Sequence, residues 1–353
     1  MKTKLASWTL AHFAVDMSCF YILYRGVETV YRTNEPDLMA IGIAIMVYNC
    51  IAFGLQMVFG SLADRHPCVE KAIGAVGLTF MLIPLVIIWI SQSEMASWIA
   101  LILCALLNAA FHVGGGMDVL KKSDGKIAPS GIFVSSGALG VILGTLYGKT
   151  GNGALLPVAV VVVASILRCF SAIKQPEYDP SKNKPFTMLT KFGVGFITLS
   201  LFIAVFIRSY AGIIWPIGFE KTGLLILVPA VASCLGKALG GIVADKLGAM
   251  ETAVVSLALS LVLMFLSNGS WVVTGASILL FNMAMPITLC GLASAMPKQQ
   301  GFAFGLSTFA LLLGYIVFTI GIINSKPYST ITLLGIIAIV LIVLSLRRKN
   351  KTT

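Results

Sequence analysis

Apolar residues run in twelve stretches, at about 5–24, 39–62, 72–91, 97–119, 128–148, 154–174, 191–214, 222–244, 251–268, 271–292, 301–322 and 328–346. Each holds roughly the 20 residues that a helix needs to cross a bilayer. Short polar loops separate them. The longest polar segment runs from Lys174 to Pro185 and carries Pro176, Pro180 and Pro185, none of which can continue a helix. It falls near the midpoint of the chain. The pattern therefore predicts an all-α membrane protein with a six-helix half at 1–174, a linker at 175–190 and a second six-helix half at 191–353.

Composition reinforces this reading. The 353 residues are 58% hydrophobic and only 11% charged, with a mean hydropathy of +0.95. A soluble domain carries about 25% charged residues, so this chain cannot cover a water-facing surface. The N-terminal stretch resembles a signal peptide in its basic start, but it reaches about residue 24, contains His12 and Asp16, and has no small-residue cleavage site. It reads as the first span. The seven cysteines are scattered singly, which supports neither a disulfide framework nor a zinc site. No cofactor is expected.

The formal charge of +11 raises the question of nucleic acid, but the basic residues form no dense patch and none is expected as a partner. They lie at helix ends instead. With the N-terminus inside and the loops assigned alternately, the inner segments hold 17 of the 25 Lys and Arg residues and the outer segments five. Arg168, Arg208 and Lys237 fall within spans. A missed or extra helix would scramble this alternation, so the bias supports both the count of spans and two cytoplasmic termini. The expected location is a cell membrane (plasma or bacterial inner membrane), where the chain crosses as a monomer.

Two loops at matching places in the halves share a pattern. Gly60-Ser61-Leu62-Ala63-Asp64-Arg65 follows span two, and Gly241-Ile242-Val243-Ala244-Asp245-Lys246 follows span eight. Glycine permits close helix approach, and the carboxylate can pair with a base or a helix N-terminus. The repeated motif resembles the loop signature of the major facilitator superfamily, Gly-x-Leu-Ala-Asp-Arg-x-Gly-Arg-(Lys/Arg). The first copy departs from it at Pro67 and Cys68, and the second at Ala249 and Met250. The resemblance implies a major facilitator fold with twelve transmembrane helices in two pseudo-symmetric six-helix bundles, working by alternating access. Gly60, Asp64, Arg65, Gly241, Asp245 and Lys246 are then the candidate gating-loop residues. Three short patches are similar to the fosmidomycin-resistance-like branch of drug exporters: His12 with Asp16, Phe111 with His112, and Arg208 with Ser209. Val113 and Gly114–Gly116 stand where that branch has a proline after the histidine.

Ionisable groups inside a membrane cost roughly 2.5–3.5 kcal/mol each on insertion scales and usually face a partner or an aqueous cavity. His12 and Asp16 share one helix face, and Asn108 and His112 repeat that spacing on span four. At about 1.5 Å per residue, both histidines lie ~10 Å and Asp16 and Asn108 ~16 Å from the cytoplasmic surface. The two helices thus offer a His–His rung and an Asp–Asn rung at matching depths. In the superfamily the first, fourth, seventh and tenth helices line the central cavity; here these carry His12 and Asp16, Asn108 and His112, Arg208 and Tyr210, and Asn282. Asp16 is the expected proton-coupling carboxylate, because a carboxylate in low dielectric exchanges protons nearer neutrality. His12, Asn108, His112, Arg208, Tyr210 and Asn282 are the expected substrate-binding residues. Packing is the plainer alternative for the histidines. Lys237 and Asp118 are expected to form a structural ion pair or to serve at an interface.

Span five carries Gly131, Gly137, Gly140, Gly144 and Gly148, a spacing that lets helices pack closely. It resembles the fifth-helix motif of drug/proton antiporters, with Gly144-Thr145 in the region of that motif's Gly-Pro pair. Pro84, Pro216, Pro229 and Pro286 are candidate kinks. The expected activity is proton-coupled export of a small drug-like or anionic molecule. Uptake symport of an organic anion and transport of a metal ion or metal chelate by the His/Asp residues are the alternatives. A membrane-embedded enzyme would want a soluble loop for a polar donor, and the loops are too short for one.

Overall fold

The computed structural model describes residues 2–31, 38–91, 93–150, 155–173, 192–321 and 327–346. The expected linker, 175–190, lies outside them. Described residues form fourteen α-helices and no strand: α1 (Lys2–Tyr31), α2 (Leu38–Arg65), α3 (Pro67–Thr79), α4 (Leu82–Ile90), α5 (Glu94–Lys121), α6 (Ala128–Thr150), α7 (Leu155–Ile173), α8 (Val194–Ile213), α9 (Val228–Leu247), α10 (Ala249–Leu266), α11 (Trp271–Asn282), α12 (Ala284–Ala295), α13 (Gln300–Thr319) and α14 (Pro327–Leu346). A 3-10 turn, Gly223–Leu227, leads into α9.

Every apolar stretch of the sequence coincides with a helix or a pair of helices. The third is broken at Phe80 and Met81 between α3 and α4, ahead of Pro84. The tenth is broken at Met283 between α11 and α12, ahead of Pro286. Both breaks precede a proline that cannot donate to the helix ladder. Pro216 lies in the connection after α8, and Pro229 sits in the first turn of α9, where a missing N–H costs nothing. Among the described residues, ten segments are long and apolar enough to cross a membrane. Of the remaining two, α1 carries His12, Asp16 and Arg25, and Leu155–Cys169 of α7 is a shorter apolar helix.

The side-chain distribution is that of a protein solvated by hydrocarbon. Large apolar side chains point outward, among them Trp89, Leu167, Leu199, Leu259, Leu333 and Ile336. A soluble monomer rarely exposes so continuous an apolar surface. Small and polar side chains lie inside. Buried serine and threonine hydroxyls donate back to helix carbonyls, as Ser18 does to Ala14 and Ser165 to Val161, so that few polar groups are left unsatisfied away from water.

Helices α1 to α7 pack among themselves, as do α8 to α14, and the two sets meet chiefly through α2 with α13 and α6 with α9. Within the first set the closest seam joins α1 to α6. Gly137, Gly140, Gly144 and Gly148 of α6 lie against α1, and any side chain at Gly140 or Gly144 would strike the carbonyls of Phe13 or Met17. Ser136 Oγ donates across the same seam to the Thr9 carbonyl at 2.8 Å. Because the obstructing atoms are backbone, the seam cannot widen locally. The substitution Gly144→Ala is expected to destabilise the protein by about 1–3 kcal/mol, the usual cost of overpacking. A lowered thermal-aggregation midpoint in detergent checks this, and an unchanged midpoint contradicts so close a seam.

Candidate functional site

The α1–α6 seam and the facing helix α5 bring four of the expected residues together. His12, Asp16, Asn108 and His112 are each at least nine-tenths buried. Asn108 Nδ2 donates to Asp16 Oδ1 at 3.1 Å, and the two histidine Nε2 atoms stand 2.8 Å apart. Asp16 lies 3.3 Å from His12 Nε2 through Oδ2 and 3.5 Å from His112 Nε2 through Oδ1. The Asp16–Asn108 and His12–His112 contacts join α1 to α5, and Asp16 lies beside both histidines.

The hydrogen-bond partners decide where the ring protons sit. His12 Nδ1 is 2.7 Å from the Phe133 carbonyl of α6, and His112 Nδ1 is 2.9 Å from the Asn108 carbonyl one turn back. A carbonyl only accepts, so each Nδ1 carries a hydrogen and donates it. A neutral imidazole protonated at Nδ1 has only a lone pair at Nε2. Two such lone pairs at 2.8 Å, facing a carboxylate, repel unless a cation lies between them. A proton or a metal cation between the two Nε2 atoms would relieve that repulsion, with Asp16 beside it.

The rings are held by aromatic packing. His12 stacks on Phe133 with centroids 4.7 Å apart, and His112 meets His12 edge-on at 4.5 Å. Phe111 lies beside both rings. Gly137 of α6 passes so near that a side chain there would overlap Asp16 Oδ2 and His12 Nε2. Phe133 and Cys19, whose sulfur accepts from Asn108 Nδ2 at 3.6 Å, carry no mark of this role in the sequence, and Gly137 is marked there only as a packing glycine. The glycine stripe marks a helix approached closely but does not say by which side chain.

The remaining expected residues form a second group. Arg208 on α8 is buried, and its Nη2 donates to the Phe281 carbonyl at 2.8 Å while its guanidinium lies 5.1 Å from the Phe281 ring. Asn282, at the end of α11, accepts from Ser233 Oγ at 3.1 Å and donates to the Ile278 carbonyl at 2.9 Å. Tyr210 is buried on α8 beside α13, where Gly314 packs against Ser209 and the Tyr210 backbone. None of these touches the histidine cluster directly. The expected Lys237–Asp118 pair does not form. Asp118 accepts from Trp8 Nε1 at 2.9 Å and pairs with Lys122 one turn on, because α5 turns that carboxylate towards α1.

The two Gly-x-x-Ala-Asp loops act across the halves. Asp64 accepts the backbone N–H groups of Gly301 and Phe302, at 2.9 and 2.8 Å, at the N-terminus of α13. Asp245 accepts those of Ile127 and Ala128, at 2.7 and 3.0 Å, at the N-terminus of α6. Each carboxylate thus caps a helix of the other half, satisfying orphan donors where the helix dipole is positive. Gly60 and Gly241 let the backbones meet there: a side chain at Gly60 would strike the Gly301 carbonyl, and one at Gly241 would crowd Ile127 and Ala128. Arg65 and Lys246 are exposed beside them. This end of the molecule is closed by both contacts. Charge-assisted hydrogen bonds contribute about 1.5–3 kcal/mol each, so Asp64→Ala or Asp245→Ala is expected to open it. Spin labels at Leu62 and Lys298 on a cysteine-less background should report a longer distance, and an unchanged distribution would rule out the clamp.

No family model matches the chain, and no curated protein matches it in sequence. Solved structures do. The human organic anion transporter MFSD10 (TETRAN) superposes with a TM-score of 0.65 at 13% identity, over 97% of this chain and 99% of that one. The transporter FucP of the major facilitator superfamily, in its outward conformation, gives 0.65 at 11% identity, over 96% and 99%. A bacterial homologue of the iron transporter ferroportin, in an outward-facing state, gives 0.59 at 14% identity, over 98% and 96%.

Proposed function

We propose, from the major facilitator fold that these likenesses establish across nearly the whole chain, that the protein is a secondary transporter coupling proton movement to the passage of a small organic molecule. Two bundles, 1–174 and 191–353, joined by the linker 175–190, rock about the chain's interior to expose it alternately to each side. Twelve crossings with both termini on the cytoplasmic side fit the distribution of basic residues. The carrier works as a monomer in the cell membrane.

The observation that carries the proton assignment is the 2.8 Å approach of the His12 and His112 Nε2 atoms beside Asp16. The cluster joins three helices: α1 through His12 and Asp16, α5 through Asn108 and His112, and α6 through the Phe133 carbonyl. Loss or gain of a proton changes the net charge inside a low-dielectric interior, where such a change weighs most. It therefore alters the packing of all three helices together. That gives a bound proton a lever on the bundle, and the clamps of Asp64 and Asp245 supply the gate on which it acts.

Export of a drug-like or anionic compound is the preferred direction, supported by similarity to the drug-exporter branch at His12, Asp16, His112 and Arg208. The structural neighbour described as an organic anion transporter points to the same substrate class. Uptake symport uses the same parts. A second reading, transport of a divalent metal, has its own support, because His12, Asp16 and His112 bring three ligand atoms within 4.8 Å of one another. Asp16→Asn is expected to abolish substrate movement driven by a pH gradient in vesicles while leaving expression intact. Undiminished coupling would sink the proton assignment. Zinc or manganese binding that is lost in the His12→Ala/His112→Ala double variant would instead favour the metal.

A further inference from the structure

Buried hydrogen-bond donors without acceptors gather in the second half of the chain. Arg208 is 7% exposed, and only its Nη2 has a hydrogen-bond partner; its Nε is buried and has none. Trp215, just beyond the end of α8, is equally enclosed, and its Nε1 is also buried without a partner. The Trp215 ring lies 4.5 Å from the Phe281 ring, over which the Arg208 guanidinium is placed at 5.1 Å. Both donors therefore border one aromatic side chain. Leaving such a donor buried and unpaired costs about 1–3 kcal/mol, more when it is charged.

Lys237 adds a second cation. It is half-buried on α9, next to Gly236, which packs against Leu279 and Asn282. Arg208 reaches the last turn of α11 through the Phe281 carbonyl, and Lys237 follows the glycine by which α9 packs against that turn, with its own carbonyl against Gly131 of α6. Lys237 makes no hydrogen bond or ion pair among the described residues, since Asp118, its expected partner, is held by Trp8 and Lys122. No acidic residue in the described part of the second half is buried: Glu220, Asp245 and Glu251 are all exposed. The charged neighbours of Lys237 are Arg208, which repels it, and Asp16 in the other half, already engaged by two histidines and Asn108.

We propose that Arg208, Trp215 and Lys237 form the site that receives the negatively charged head of the substrate, a carboxylate, sulfonate or phosphonate carried on an aromatic or aliphatic body. The inference rests on the transporter reading above and specifies the substrate class. A monoanion takes one hydrogen bond from Arg208 Nε, a second from Trp215 Nε1 and the charge of Lys237. The Phe281 and Trp215 rings offer its apolar body a face. Asn282 and Ser233 spend their hydrogen bonds on each other and on the Ile278 carbonyl, so they orient α9 against α11 rather than bind the anion.

The test uses purified full-length protein in lipid nanodiscs with benzoate, benzenesulfonate and phenylphosphonate as probes and benzamide as the neutral control. At least one of the anions should bind by calorimetry and benzamide should not. Arg208→Gln and Lys237→Gln should each weaken the anion at least tenfold. Trp215→Phe, which keeps the ring and removes only the N–H, should weaken it severalfold without lowering thermal stability, so the proposal stays testable if a charge variant fails to fold. Binding is measured without a pH gradient, which separates a failure of proton coupling from a failure of this site. Absence of binding by all three anions, equal binding of benzamide, or unchanged anion affinity in folded Lys237→Gln and Trp215→Phe would overturn it.

Discussion

Helices dissolved in hydrocarbon gain little by covering leucine with leucine, because lipid tails are equally apolar. Their association depends on how near the backbones can come, and in this chain glycine sets that distance. The α1–α6 seam is the clearest case: with side chains absent at Gly137, Gly140 and Gly144, α6 comes against the carbonyls of Phe13 and Met17. The setting of His12 follows from that approach. Only at this spacing does the Phe133 carbonyl reach His12 Nδ1, fix the ring's tautomer and leave its Nε2 aimed at His112 and Asp16.

The same economy operates where the halves meet. Gly60 against Gly301 and Gly241 against Ile127 bring two helix N-termini within reach of carboxylates from the opposite half. The residues of each motif are therefore one device. Glycine removes the obstacle, alanine stays buried beside it, and aspartate takes the exposed N–H groups of a helix start. The four hydrogen bonds are made by Asp64 and Asp245 themselves, so the clamp does not require the motif's trailing residues.

Much of this was legible in the order of residues. The spans follow from hydropathy alone, and the meeting of Asp16 with Asn108 and of His12 with His112 follows from rise per residue in two antiparallel helices. Other features have no sequence signature. A backbone carbonyl such as that of Phe133 belongs to every residue, so its choice as the partner of His12 is invisible until helices are docked. The pairing of Asp118 depends on the rotation of α5 about its axis, which apolarity on every face leaves unspecified; Trp8 and Lys122 take the carboxylate and Lys237 is left without it. Trp215 has no such signature either, because a single tryptophan near a helix end usually marks a membrane interface. Only the packing of Phe281 shows that its indole N–H is enclosed.

The doubling of the aspartate clamp has a kinetic side. Four backbone N–H groups, two at each of two helix starts, must leave their carboxylates before this end can part. Once parted, water satisfies all of them, so the open and closed forms can stay close in free energy. The transit between them is different, since each carboxylate must let go before solvent fully replaces its partners. A clamp of this kind slows interconversion without favouring either form strongly. The rate of parting is thereby set where Asp64 and Asp245 meet the opposite half, apart from the histidine cluster and the Arg208 group.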